Sequence, residues 1–209
     1  MAPKAKFTRA QLQQAALALV DEQGLAALSM RTLAGALGTG PMTLYNYVKD
    51  RDELDALVVE AVLADVKTPR SRGDWQADVR AIVEATWRTV RRHPNVIPLV
   101  LTRRTLHDTT LHWAEGLLEA LARSGRRDSE LLIAFRTVSG FVMGLAQAQL
   151  SGPTADNPDV ARAEALPADR YPRLIEIAKA ARGLGPDREF RAGLDIVMAG
   201  LLAGTIRRS

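Results

Sequence analysis

Apolar residues recur at three- and four-residue spacing from Leu12 to Leu202. That is the period of one face of an α-helix, and it predicts an all-α chain. Leu12, Ala15, Ala16, Leu19 and Val20 form the first stripe, opened by Thr8 and closed by Gly24. Thr8 to Gln11 has the form of a capping box. Ser29 is placed to cap a short second helix carrying Leu33, Ala34 and Leu37, and Gly38 to end it. Gly40 and Pro41 start a third helix, which runs to Val48 with Leu44 and Val48 inward. Two helices joined by a glycine-containing turn predict a helix-turn-helix, whose second helix enters the major groove of DNA.

Asp50 to Glu53 has the form of another capping box. It opens a connecting helix over 50–66, with Leu54, Leu57, Val58, Ala61 and Val62 on its apolar side. The polar segment 67–73, KTPRSRG, marks a domain boundary. Residues 1–52 then form a DNA-binding domain and residues 67–209 a second helical domain. In the latter the pattern predicts helices from Asp74 to Val90, Asn95 to Arg104, Leu106 to Ala122, Asp128 to Leu150, Tyr171 to Arg182 and Pro186 to Arg207. Residues 151–169 carry three prolines and read as a long loop.

Charge and side-chain chemistry sharpen the first domain. Residues 1–49 hold Lys4, Lys6, Arg9, Arg31 and Lys49 against only Asp21 and Glu22, a large share of the +4 net charge. A basic arm ahead of a helix-turn-helix suits phosphate contact. On the reading helix, Met42, Thr43, Tyr45, Asn46 and Tyr47 are left to face outward. Tyrosine hydroxyls reach phosphate oxygens, a threonine methyl meets the thymine methyl, and an asparagine amide pairs with adenine. The candidate DNA contacts are therefore Arg31, Gly40, Pro41, Met42, Thr43, Tyr45, Asn46, Tyr47, Lys49 and Arg51. Among them Lys49 and Arg51 are expected to clamp phosphates.

The stretch LGTGPMTLYNYVKDRDELDAL resembles the DNA-reading segment of the TetR family of transcriptional repressors. Leu44 with Tyr45, then Tyr47, Lys49, and Glu53 with Leu54 stand where that family places them. Met42 and Asn46 depart from its pattern, so no operator sequence carries over. DREFRAGLDIVMAGLLAG, near the end, resembles the last helix of the tetracycline-repressor-like C-terminal domain. The resemblance implies a helical effector-binding and dimerisation domain behind the helix-turn-helix, an Ω-shaped homodimer and a palindromic double-stranded operator. It also implies repression relieved by a small-molecule effector. The reading helices of the two protomers should lie about 34–36 Å apart, or somewhat more if splayed.

For the effector, the apolar and aromatic residues of the second domain offer Trp87, Trp113, Phe135 and Met143, with His107, Ser139 and Gln147 to orient it. Apolar lining outweighs charge in that set and suggests an uncharged or aromatic compound. The last helix is apolar nearly all round, so a partner should cover it. Phe141 and Leu145 with Leu194, Val197, Met198 and Leu201 are expected at a symmetric four-helix interface.

Other chemistry is not indicated. The absence of cysteine excludes disulfides and thiolate metal sites. His107 and His112 lie about 140° apart around a helix, too far to share a metal. No phosphate-binding glycine loop or nucleophile elbow is present, so neither an enzyme nor a bound cofactor or metal is expected. No apolar run approaches the ~18–20 residues of a membrane span, and the expected place is the cytoplasm. Two alternatives stand beside this reading: a DNA-binding regulator without a small-molecule effector, and a helical enzyme or interaction protein using the motif as scaffold.

Overall fold

A computed structural model describes residues 6–67, 70, 71, 73–102, 108–151 and 158–203, and every regular element among them is helical. The chain falls into two compact units, residues 1–135 and 136–209.

The first unit begins with α1 (Arg9–Gln23). Its capping box is present: the Thr8 hydroxyl accepts the Gln11 N–H at 3.2 Å, and the Gln11 side chain accepts the Thr8 N–H at 2.8 Å. Leu12, Ala16, Leu19 and Val20 are buried. A 3-10 turn, Leu25–Ala27, leads to α2 (Met30–Ala36) and α3 (Pro41–Leu44). Next come α4 (Arg51–Ala64), α5 (Trp75–Arg92), a 3-10 turn Pro94–Val96, α6 (Ile97–Thr102), α7 (Asp108–Ala122) and the start of α8 (Asp128–Ser151).

α4 is the hub. It packs against α1 on one side and against α5, α6, α7 and the Pro94–Val96 turn on others. Residues Leu54–Glu60 are all buried. Two carboxylates go in with them, which is costly unless each finds a partner. Glu60 is 3% exposed and takes both prongs of Arg9, at 2.6 and 2.9 Å, with Gln13 donating at 2.7 Å. The hydrogen bond to Glu60 raises the Arg9 pKa above its ordinary value, against a smaller opposing effect of burial. Asp55, 2% exposed, accepts from Arg51 Nε at 2.7 Å.

The other end of α1 is fastened too. His93 Nδ1 lies 2.7 Å from Asp21 Oδ2, and Asn95 Nδ2 donates to the Val20 and Asp21 carbonyls at 3.1 and 3.3 Å. One hydrophobic core therefore spans the polar segment 67–73: Leu12, Leu33 and Leu57 belong to the same cluster as Ala85, Val96 and Leu99.

The second unit holds the rest of α8 with α9 (Pro158–Glu164), α10 (Pro172–Gly183) and α11 (Pro186–Ala203). The expected 151–169 loop thus contains a helix. Val160 is its one buried apolar residue among the described ones and leaves no period to read, while Pro158 at the first helical position favours it. Glu164 ties it to α10 through Arg182 at 2.6 and 3.0 Å. On α8, Val138, Val142 and Ala146 are buried at four-residue spacing; on α11, Phe190, Leu194 and Met198 are. Phe141 and Phe190 stack with centroids 6.0 Å apart.

Two expectations need correcting. Leu194 and Met198, assigned to a partner's interface, are each 1% exposed within the protomer and close its own core. Phe141, Leu145, Val197 and Leu201 are half-buried. Phe190, Leu194 and Met198 of α11 point inward, while Ala192, Ile196, Ala199, Gly200 and Leu202 are apolar or small residues left exposed. The second correction concerns α8. Its residues Asp128–Ala148 are long and apolar enough to cross a bilayer by length and composition, and only 22% of that window is buried.

A Cβ built on Gly193 would lie 2.6 Å from the Phe141 ring, which is itself stacked on Phe190. Gly193→Ala should therefore lower stability by about 1–3 kcal/mol, read as a drop in thermal midpoint. An unchanged midpoint would show that the ring pair moves aside freely.

Candidate functional site

The reading helix is built from local signals. Ser29 caps α2, its hydroxyl accepting the Thr32 N–H at 3.1 Å. α2 ends in a Schellman motif: Gly38 takes φ +62°, its N–H reaches the Gly35 carbonyl at 3.1 Å, and the Thr39 N–H reaches the Ala34 carbonyl at 2.9 Å. Gly40 and Pro41 then open α3. Regular α-helix stops at Leu44, earlier than the sequence pattern suggests. Tighter turns carry the chain on, with Tyr47 N–H bonded to the Leu44 carbonyl at 2.8 Å. Leu44 and Val48, 0% and 1% exposed, anchor the segment to the core.

That anchoring leaves Pro41, Met42, Tyr45 and Asn46 exposed and Thr43 half-buried. Met42 is 77% exposed and Tyr45 49%, high for apolar and aromatic side chains with no partner to cover them. Arg31 and Lys49 are exposed beside them. Lys49 donates its backbone N–H to Glu53 at 2.8 Å, so the second capping bond falls one residue before Asp50.

Two of the predicted contacts have internal duties. The Tyr47 hydroxyl accepts the N–H groups of Lys6 and Phe7, at 2.8 and 3.2 Å, and its ring meets Phe7 edge-on at 6.2 Å. Lys6 Nζ also reaches the Thr39 hydroxyl at 3.4 Å, so Lys6 and Phe7 are held against the motif. The Tyr47 hydroxyl proton remains to be donated outward. Arg51 bonds Asp55 and, through Nη1, the Leu28 carbonyl at 2.6 Å. It holds α4 to the entry of α2, with its side chain 49% exposed.

A cavity of about 360 Å³ lies between α4, α5 and α7. Leu63 and Ala64 line it from α4, with Val66 just beyond, and Asp78 and Ile82 from the start of α5, with Ser71 ahead of it. Thr109, His112, Trp113, Gly116, Glu119 and Arg123 line it from α7 and its end. Of the residues predicted to bind an effector, only Trp113 is among these. Trp87 is 2% exposed and core, with Arg91 over its ring at 5.8 Å. Phe135 packs against Trp113 at 6.2 Å, behind the cavity wall. Ser139, Met143 and Gln147 are half-buried in the second unit, and His107 lies outside the described residues.

The cavity is as much polar as apolar. Asp78, 7% exposed, accepts from Arg123 at 2.6 Å and from Ser71 at 2.5 Å. Trp113 Nε1 donates to the Thr86 hydroxyl at 2.9 Å, which fixes the indole plane. The signal for this lining was present as Thr109, His112, Gly116, Glu119 and Arg123, one helical face at three- and four-residue spacing. Among the described residues no group of histidine and acidic side chains is placed to hold a metal ion.

Residues 68–204 match the family model for the tetracyclin repressor-like C-terminal domain. The transcriptional repressor DrrR1 of Streptomyces coeruleorubidus is 31% identical over 95% of this chain and 78% of its own length. The class D tetracycline repressor of Escherichia coli is 30% identical over 83% of this chain and 79% of its own. Among solved structures, the Streptomyces coelicolor TetR family protein ActR in complex with (S)-DNPA superposes with a TM-score of 0.83. It is 34% identical over 98% of this chain and 100% of its own. An exposed reading helix on a capped helix-turn-helix, a matching C-terminal domain and relatives that are themselves repressors lead to one conclusion: the chain belongs to the TetR family of DNA-binding transcriptional regulators.

Proposed function

We propose that this regulator is a homodimeric repressor, held on a palindromic operator in the cytoplasm and released by a small molecule. Residues 1–52 read the DNA, the connecting helix 50–66 carries the signal, and residues 67–209 bind effector and partner. The observation that carries the reading is the continuity of α4. Its first turn adjoins Lys49 and the reading helix, and its last residues, Leu63 and Ala64 with Val66 just beyond, wall the α4–α5–α7 cavity. A ligand there touches the element that positions the DNA contacts. It shifts the balance only by its differential affinity for the two states, and about 1–3 kcal/mol suffices for induction. ActR, solved with actinorhodin, is a related protein with a bound small molecule. Trp113 supports an aromatic effector; the Asp78, Glu119 and Arg123 lining speaks against a purely apolar one.

The partner face is best drawn from what the protomer leaves open. Ala192, Ile196, Ala199 and Gly200 on α11 are exposed, Ile196 at 75%. Gly140 and Gly144 on α8 are exposed too, and a Cβ at either, or at Gly200, would meet nothing. Small residues without an internal reason permit close approach of a second copy. The apolar, little-buried α8 then meets protein rather than lipid.

Tyr45→Ala should weaken operator binding by about tenfold or more with the melting temperature unchanged, since the side chain is exposed. Global destabilisation would place Tyr45 in the core instead. Lys49→Ala should lower affinity for all sequences alike and flatten the salt dependence by about one unit in a gel-shift titration. Ile196→Arg should convert the dimer to monomer in sedimentation experiments and weaken operator binding in parallel; a persistent dimer would move the interface elsewhere.

A further inference from the structure

Resting on the DNA-binding reading above, we propose that Lys6 is a further phosphate contact of this regulator, and that the Tyr47 hydroxyl is the group that positions it.

Lys6 is held at two points. Its backbone N–H donates to the Tyr47 hydroxyl at 2.8 Å, and the N–H of Phe7 donates to the same oxygen at 3.2 Å. Its side chain runs to the other end of the reading segment, where Nζ donates to the Thr39 hydroxyl at 3.4 Å. Tyr47 follows α3 and Thr39 precedes it, so one lysine flanks the segment that exposes Met42 and Tyr45. Phe7 braces the arrangement with its ring edge-on to Tyr47 and 5.3 Å below the Lys6 ammonium. A lysine on a free chain end must be ordered when it meets a phosphate. Here the fold has ordered it beforehand.

The chemistry left over points to an anion. An ammonium has three N–H donors, and Thr39 takes one. Lys6 is exposed, and the residues before it, MAPKA, contain no acid. Asp21, the first acid of the chain, is bonded to His93 at the far end of α1. At the start of α4, Glu53 accepts the Lys49 N–H and Asp50 the Glu53 N–H, so both caps are occupied. The anion that DNA offers beside a reading helix is the backbone phosphate. Tyr47 accepts two N–H groups, which occupies both lone pairs of its oxygen; its first duty is to hold the chain that carries Lys6.

This arrangement has a signature. A neutral hydroxyl bonded straight to a phosphate adds affinity without displacing a counterion, whereas an ammonium displaces one. A tyrosine that works through Lys6 therefore changes the salt dependence of binding although it carries no charge. The measurement is a salt titration by fluorescence anisotropy on two duplexes, one selected by the natural protein from a random pool and one unselected of equal length. Lys6→Met should flatten the slope of log affinity against log salt by about one unit on both. Tyr47→Phe keeps the ring against Phe7 and should flatten it by about one unit as well. The double variant should show no further change. An unchanged slope for Tyr47→Phe, or a double variant flattened by about two units, would make the two residues independent and overturn the positioning role. An unchanged slope for Lys6→Met would remove the lysine from the contacts. Lys6→Met, at an exposed position, should melt with the natural protein and stays decisive if Tyr47→Phe is unstable. A natural protein that binds neither duplex would sink the regulator reading and this proposal with it, whereas the slopes of a protein that does bind decide only the roles of Lys6 and Tyr47.

Discussion

Enclosure of α4 is the constraint from which the other features follow. A helix buried over Leu54–Glu60 cannot shift without disturbing α1, α5, α6 and α7 at once. The two carboxylates inside it make the arrangement specific. Sliding α1 past α4 by one turn, about 5.4 Å, would part Arg9 from Glu60 and leave a buried charge unmatched. Hydrophobic burial alone would tolerate several registers; this ion pair accepts one.

The parts of the fold written in short-range chemistry were legible in the sequence. Thr8 with Gln11, Ser29, Gly38 and Pro41 act on residues within one turn, so the starts of α1, α2 and α3 and the end of α2 could be placed without the structure, whereas the end of α3 could not. Contacts between distant positions could not. Glu60 finds Arg9 across 51 residues, and Asp21 finds His93 across 72. The internal partners of Tyr47 and Arg51 were out of sight for the same reason. Both residue types suit phosphate, and only the folded chain shows a partner already in reach, the arm in one case and the Leu28 carbonyl in the other.

The C-terminal helices illustrate a different ambiguity. α11 is apolar around most of its circumference, so periodicity could not say which side the protomer keeps. Burial settles it: Phe190, Leu194 and Met198 fill space in the protomer, whereas Ala192, Ile196, Ala199, Gly200 and Leu202 stay exposed. In the cavity, an eye for aromatic residues found Trp113 but passed over the polar stripe of α7. Kinship with ActR and the tetracycline repressors fixes the architecture.

The double attachment of α1 has a mechanical consequence. Its C-terminal end is fastened to His93 and Asn95, its opposite end to Glu60, and the arm just before it grips Tyr47. Fifteen residues of helix make a rod about 22 Å long. A rotation of about 5° around the histidine fulcrum swings the far tip by about 2 Å, several times the roughly 0.5 Å window within which hydrogen bonds survive. Leverage of this kind lets a displacement too small to unfold anything dislodge a protein from its operator.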